Sequence, residues 1–258
     1  MAQDKDLLIL AAMEEEERAL LRALSRAGAA GPISVQLDSP LKITLHEAAI
    51  QGGKLWIARS GMGPVNAALT LAMIAERRAI ESVILLGVGG ALSADLRIGD
   101  LVVSTRVLQH DSYSSLESGH FRMRPGNLVL SQEDAQLEVP TFDASAKLVK
   151  WMEGFQGAHT LRKGLIASGS EFVGTVKRKQ EIASLHPDAL LVDMEAAGIA
   201  QTANLLGIPF VVAKTVADRL LPSGSIEADF RTCLEAAAEN AAAILTELLE
   251  IPSQTKDL

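Results

Sequence analysis

Leu191-Val192-Asp193-Met194-Glu195-Ala196-Ala197-Gly198-Ile199-Ala200-Gln201 reads as a short apolar strand running into two acids and then into a helix of small residues. Acids placed where a parallel strand gives way to a helix lie at the carboxyl edge of the sheet, where open α/β sheets bind ligands. The small face made by Ala196, Ala197 and Ala200 lets that helix press on the sheet and hold the acids still. Two further junctions share the pattern. Phe210-Val211-Val212-Ala213-Lys214-Thr215-Val216-Ala217-Asp218 is a buried strand delivering a carboxylate at its far end, and Leu7-Leu8-Ile9-Leu10-Ala11-Ala12-Met13 leads into Glu14-Glu15-Glu16-Glu17. Three acidic strand ends point to carboxylate chemistry.

Short apolar runs alternate with amphipathic stretches along the chain. The pattern predicts strands near 7–12, 33–38, 42–49, 54–59, 82–87, 100–108, 161–167, 189–192 and 209–215. Helices are expected near 15–28, 64–79, 143–155, 175–184, 195–206 and 226–249. Such alternation, with strands apolar on both faces, predicts an α/β protein: one three-layer α/β/α domain over residues 1–258 with a central mixed sheet. Residues 1–5 and 252–258 are expected as flexible termini. The runs at 33–38 and 42–49, split by Asp38-Ser39-Pro40, read as a hairpin. Residues 109–141 show no clear period, which suits a functional loop or an interface.

With 258 residues, 48% of them hydrophobic and 22% charged, the chain can bury a large core. Its formal charge of -8 disfavours a nucleic-acid partner. Arg77-Arg78 and Lys177-Arg178-Lys179 read as solvated helix ends. One cysteine, Cys233, excludes an internal disulfide and fits a reducing compartment; its Ala-rich surroundings suggest inert packing. The polar start MAQDKD lacks the apolar core of a signal peptide, and Leu7 to Met13 is too short to span a bilayer. A soluble, cytoplasmic protein without a membrane partner is expected. His46, His110, His120, His159 and His186 share no metal-ligand spacing, so no metal is expected, and His110-Asp111 reads as a surface hydrogen bond. There is no G-x-S-x-G nucleophile elbow.

Two glycine loops remain open to more than one reading. Gly61-Met62-Gly63-Pro64-Val65-Asn66 follows a strand and opens a helix, but Asn66 replaces the third glycine of a dinucleotide fingerprint. A tight turn feeding Pro64 into the helix is the simpler reading, with or without amides facing a small ligand. Gly87-Val88-Gly89-Gly90-Ala91 closes another strand; it is either a sharp turn or a place where a ligand lies directly on backbone.

In order and spacing, AAMEEEE, SGMG, the G-x-G-G turn, IGDLVVS followed by QHD, GLIASGSEFV, LVDMEAAGIAQ and FVVAKTVAD resemble the 5′-methylthioadenosine/S-adenosylhomocysteine nucleosidases of the nucleoside phosphorylase superfamily. The resemblance covers most of the chain and is weakest from about 112 to 160. It implies that Glu16 activates water, Glu195 binds the ribose hydroxyls and Asp218 donates a proton to N7 of the purine. It further implies that Phe172 stacks on the base, the Val173 backbone reads its edge, and Met13 and Met194 pack on the sugar. Gly87, Val88, Gly89 and Asp193 complete the expected substrate site. The implied enzyme is a purine nucleosidase of methionine salvage that needs no cofactor and takes a small-molecule nucleoside. It is expected as a homodimer in which residues 112–126 reach into the neighbour's site.

The chemistry suits these residue types independently. A purine leaves readily only once N7 is protonated, so Asp218 must hold a proton near neutral pH, which predicts a raised pKa. The sugar gains oxocarbenium character that carboxylates stabilise, and the attacking water needs a general base. Against function, an acid cluster in a first helical turn also complements the helix dipole, Asp218 could cap a turn before Pro222, and Phe172 could be core. Three features depart from the family pattern. Ala217 stands where a serine commonly precedes the aspartate, Ser170 stands for an aspartate, and RLLPSGSIEADF after Asp218 is an unusual lid. Phosphorolysis (with Arg59 as the one phosphate-binding remnant), hydrolysis of a futalosine-type or deoxyadenosine nucleoside, and non-catalytic nucleoside binding are the alternatives.

Overall fold

The structure, a computed structural model, describes residues 6–26, 33–38, 42–50, 53–127, 129–137, 141–154, 160–221 and 223–250. The first half runs β1 (Asp6–Ala11), α1 (Glu14–Arg26), β2 (Ile33–Gln36), β3 (Thr44–Ile50), β4 (Gly53–Arg59), α2 (Pro64–Arg77), β5 (Ile80–Ala91) and β6 (Leu101–Gln109). A smaller group follows: β7 (Tyr113–Leu116), β8 (Gly119–Arg122), α3 (Gln132–Leu137), β9 (Thr141–Asp143) and α4 (Ala146–Glu153). The chain continues with β10 (Leu161–Ser168), α5 (Val176–Leu185), β11 (Ala189–Asp193), α6 (Ala196–Leu206), β12 (Phe210–Leu220), β13 (Ile226–Ala228) and α7 (Phe230–Glu250).

The fold is the expected α/β class, with a mixed central sheet between helices. All of β1 and the first seven residues of β12 are buried, as strands covered on both faces must be. On one face, Ala67, Leu71 and Ile74 of α2 join Ile199, Ala200 and Ala203 of α6 in a single apolar cluster. On the other, Leu20 and Leu24 of α1, Val149 and Met152 of α4, and Ile244 and Leu245 of α7 pack together. The order β13-β12-β6-β10-β11-β5-β1-β4-β3-β2 has an additional β12–β5 pairing. Strands β5, β12, β6, β10 and β11 thus form a closed circuit, and β1, β4, β3 and β2 extend it as an open wing.

β5 makes this possible. It does not stop at the glycines but runs on to Ala91, pairing parallel with β1 through Leu85 and with β12 from Val83 to Gly90. Its last residues meet β11 antiparallel, Leu191 opposite Ala91 and Val192 opposite Gly90. The expectation of a parallel setting for the LLVD strand is therefore half right. β11 is parallel to β10 and antiparallel to β5, and its acids reach the site from the opposite direction to those of β1.

Other expectations are corrected too. The 109–141 segment carries a β7–β8 hairpin, the short α3 and strand β9, which pairs with β6. Arg122 holds this hairpin to the end of α5 by donating to the carbonyl of Leu185 at 2.9 Å. The last helix begins at Phe230, because Ile226–Ala228 pairs as a strand with Asp218–Leu220. β2 and β3 form the expected hairpin; Ser39, Pro40, His159, Pro222 and the termini assigned flexibility lie outside the described residues. No described helix is long and apolar enough to cross a membrane.

The small face of α6 is used more tightly than expected, since it meets α2 as well as the sheet. A Cβ on Gly198 would lie 2.1 Å from the carbonyl oxygen of Pro64 at the start of α2. That oxygen is backbone and cannot swing away. Gly198→Ala should therefore destabilise the protein by about 1–3 kcal/mol through overpacking, seen as a lower urea midpoint; an unchanged midpoint would show that the two helices separate freely.

Candidate active site

Glu16 is the third residue of α1 and turns back on the bend after β1. Its Oε2 accepts the backbone N–H groups of Ala12 and Met13, both at 2.9 Å, and its Oε1 accepts that of Val88 at 3.0 Å. A carboxylate here satisfies donors that a helix start leaves open, and it faces the positive end of the helix dipole. The neighbouring Glu14 and Glu15 are exposed. Gly87 gives Glu16 its space, because a Cβ there would lie 2.7 Å from Glu16 Oε1 and 3.1 Å from Lys214 Nζ.

Lys214, on β12, is fully buried. Its Nζ lies 3.0 Å from Asp193 Oδ2 and 3.0 Å from Glu195 Oε2. Asp193 ends β11 and accepts the N–H of Ala196. Glu195 stands at the start of α6 without capping it by its side chain, and its Oε1 accepts the N–H of Gly63 at 2.9 Å. The SGMG loop is thus a turn whose amide faces a carboxylate of the site, and Pro64 starts α2 as expected. Burial alone would strip Lys214 of its proton; Asp193, Glu195 and Glu16 outweigh it and hold its pKa above the ordinary value. Burial likewise raises the pKa of Glu16 above 4.5, with Lys214 and the amides of Met13 and Ala12 opposing and Glu195 adding to the rise.

Asp218 sits just after a β-bulge: Val216 is opposite Gly89 and Asp218 opposite Gly90, so Ala217 is the extra residue. Bulges re-aim the side chains that follow them. Asp218 Oδ1 lies 2.5 Å from Nζ of Lys179, which also donates to the carbonyl of Ala91 at 3.1 Å. Lys179 is wholly buried, which corrects the reading of 177–179 as a solvated helix end. Arg178, from the same run, pairs with Glu171 and Glu181. His110, read as a surface residue, is buried with neither ring nitrogen hydrogen-bonded among the described residues. Asp111 instead accepts the N–H of Ser170 at 2.8 Å. Cys233 is buried as expected, and burial pushes its thiol up to about 12.

One cavity of about 310 Å³ is lined by Glu16, Glu195 and Asp218 together with Met13, Val88, Gly89, Phe172, Val173, Asp193 and Met194. Gly87 is the exception among the expected residues: it lies behind Glu16 and lines the cavity nowhere. Phe172 is 82% exposed at the rim, so it is not core. Gly90, from the turn read as a place where a ligand could lie on backbone, also lines the cavity, as do Met62, Ala217 and Ala228, which were not foreseen. Gly90 was legible as the second of two adjacent glycines, whereas Ala228 comes from a strand read as helix. Within one chain, no described residue between 109 and 141 reaches the cavity.

A mixed sheet closed around β5 brings acids from three strand junctions into one cavity, which defines an α/β protein with a carboxylate-lined site. Residues 6–250 match the phosphorylase superfamily model. The 5′-methylthioadenosine/S-adenosylhomocysteine nucleosidase of Staphylococcus aureus is 31% identical over 230 residues, which cover 89% of this chain and 92% of the relative. The Neisseria meningitidis nucleosidase of the same name, solved with methylthio-immucillin-A, superposes with a TM-score of 0.74 at 29% identity, covering 95% of this chain and 99% of that one. Futalosine hydrolase of Helicobacter pylori gives 0.75 at 25% identity, with 96% and 98% covered. The chain belongs to the phosphorylase superfamily, in its branch of methylthioadenosine/S-adenosylhomocysteine nucleosidases.

Removing the cation at the centre of the acids tests this construction. Lys214→Met should destabilise the protein by about 3–5 kcal/mol, because buried carboxylates lose their counter-charge. Thermal and urea unfolding would measure it, and a variant as stable as the parent would contradict the geometry.

Proposed function

We propose that this chain hydrolyses the N-glycosidic bond of an adenine nucleoside such as 5′-methylthioadenosine or S-adenosylhomocysteine, releasing adenine and the ribose derivative. The observation carrying this reading is the convergence of Glu16, Glu195 and Asp218 on one cavity. Asp218 is the acid that meets N7 of the purine. Glu195 accepts hydrogen bonds from the ribose hydroxyls and stabilises the growing positive charge on the sugar. Glu16 is the general base for water. A carboxylate offers about four acceptor positions; two amides on Oε2 and one on Oε1 leave Glu16 a place for that water. Val88 and Gly89 bring backbone against the ligand, Phe172 closes over the base from the rim, and Met13 and Met194 supply apolar contact to the sugar.

Water rather than phosphate is the nucleophile. No arginine is among the described residues lining the cavity. Arg59, the one candidate for an anion, lies 3.5 Å from Glu14 and 3.7 Å from Glu17. A phosphate dianion there would face acids and lack the partners that offset its desolvation.

The reading extends to a cytoplasmic homodimer serving methionine salvage. Met62, in the turn before α2, and Val65 and Leu69 along its start are 60%, 75% and 43% exposed. Since Met62 also lines the cavity, a two-fold interface over this face would border the site, with residues 112–126 of one chain entering the other's cavity. Val65→Asp should shift the sedimentation coefficient from dimer to monomer; a parent that sediments as a monomer would refute the dimer.

Incubation with 5′-methylthioadenosine should yield free adenine by chromatography, at a rate that added phosphate does not raise. Glu16→Gln and Asp218→Asn should each lower kcat by about 10²–10⁴-fold, the usual contribution of general acid–base groups; parent-like rates in either would remove that residue from the mechanism.

The raised pKa of Glu16 fixes the sign of a pH effect. The base works when ionised, so activity should be lost as pH falls through a value above 4.5. Stability runs oppositely: the folded state binds this proton more tightly, so Glu16's contribution is present below 4.5 and lost as pH rises through its folded value. A pH profile of kcat/KM whose acid limb lies at or below 4.5 would contradict the assignment of Glu16.

A further inference from the structure

We infer that Lys179 is a positioning residue for the proton donor: the Lys179–Asp218 ion pair, rather than Asp218 alone, supplies the proton that departing adenine takes at N7. The inference rests on the reading of Asp218 as the group that meets N7.

Three elements are shaped around this pair. Lys179 lies in the first turn of α5 and is 0% exposed. The next buried residue along that helix is the apolar Ile182. An apolar side chain at 179 would suit the same surroundings, whereas a buried ammonium is costly without a partner. From β12, the bulge at Ala217 presents Asp218, whose Oδ1 takes the ammonium at 2.5 Å. From β5, Gly90 leaves the room: a Cβ there would lie 2.5 Å from Lys179 Nζ and 2.7 Å from Asp218 Oδ1. The other buried lysine among the described residues, Lys214, is committed to Asp193 and Glu195. Ala217 offers no hydroxyl to orient Asp218, and Lys179 does that work instead. Asp218 Oδ2 has no hydrogen-bond partner among the described residues, which leaves it for the ligand.

An aspartate held in an ion pair has no proton of its own to give; the proton resides on Nζ. As the C1′–N9 bond lengthens, its electron pair moves onto the purine and N7 becomes basic. Nζ releases a proton to Asp218, and the carboxyl group so formed passes that same proton to N7. The products are neutral adenine, an Asp218 carboxylate and a neutral Lys179 amine. The sugar cation takes water, whose proton goes to Glu16, and exchange with solvent returns the ammonium and the Glu16 carboxylate. A lysine yields its proton only to a strong base, so transfer is confined to the late, bond-broken stage. An arginine keeps a positive charge for Asp218 but does not deprotonate.

Lys179→Arg and Lys179→Met separate holding from supply. With 5′-methylthioadenosine as substrate, the Arg variant should keep its thermal midpoint, its KM and its affinity for adenine, yet lose about 10²-fold or more in kcat. In the Met variant Asp218 must carry its own proton, so the alkaline limb of kcat should move to lower pH. An Arg variant with parent kcat, or a Met variant with the parent pH profile, would overturn the inference and leave Lys179 as packing. Should the Met variant not fold, the Arg variant decides alone. A parent protein that releases no adenine would instead sink the nucleosidase reading, a result distinguishable from active parent and unaffected variants.

Discussion

The ammonium of Lys214 is held out of solvent between Asp193 and Glu195, within Coulombic reach of Glu16. Each of those carboxylates would be prohibitively placed without it, because an unpaired buried charge either finds a partner or takes up a proton. From the middle of β12, one cation thereby ties the start of α1 to the end of β11, two elements far apart in the chain. The glycines follow from the same constraint. Gly87 has no side chain because Glu16 and Lys214 occupy its place, and Gly63 lends its amide to the far oxygen of Glu195.

The closed circuit of strands is what lets these groups meet. β5 is long enough to pair with β1 and β12 in one direction and to meet β11 in the other. Its glycine-rich end therefore runs through the middle of the site as extended backbone. The bulge at Ala217 then turns the outgoing strand so that Asp218 faces the same cavity. Two buried lysines among the described residues divide the acids between them: Lys214 pairs with Asp193 and Glu195, and Lys179 with Asp218.

Much of this was legible from residue order. The three acidic junctions stood out because each follows an apolar run, a local pattern that needs no knowledge of partners, and the resemblance to the nucleosidases singled out Glu16, Glu195 and Asp218 within them. The layer arrangement followed from the same runs. Strand partners did not, since hydropathy says that β5 is buried but not that it borders both β12 and β11. Lys179 was misread because a basic triplet on a helix is usually solvated, and only one of the three turns inward. Its signal was indirect: Ala217 had lost the hydroxyl that would otherwise orient the aspartate, so something else had to. The β7–β8 hairpin was missed because its strands are short and only partly buried, leaving no alternation to read.

The departures in sequence fall on the groups around the acids rather than on the acids themselves. In the proposed function, such a pattern changes how the donor is held and what sits beyond the ribose, while the glycosidic bond remains the reacting centre. Reaction of 5′-methylthioadenosine in phosphate-free water labelled with heavy oxygen tests this most directly. Hydrolysis through Glu16 predicts free adenine and one labelled oxygen at C1 of the released sugar. Unlabelled sugar, a sugar phosphate formed only when phosphate is supplied, or no adenine at all would contradict it.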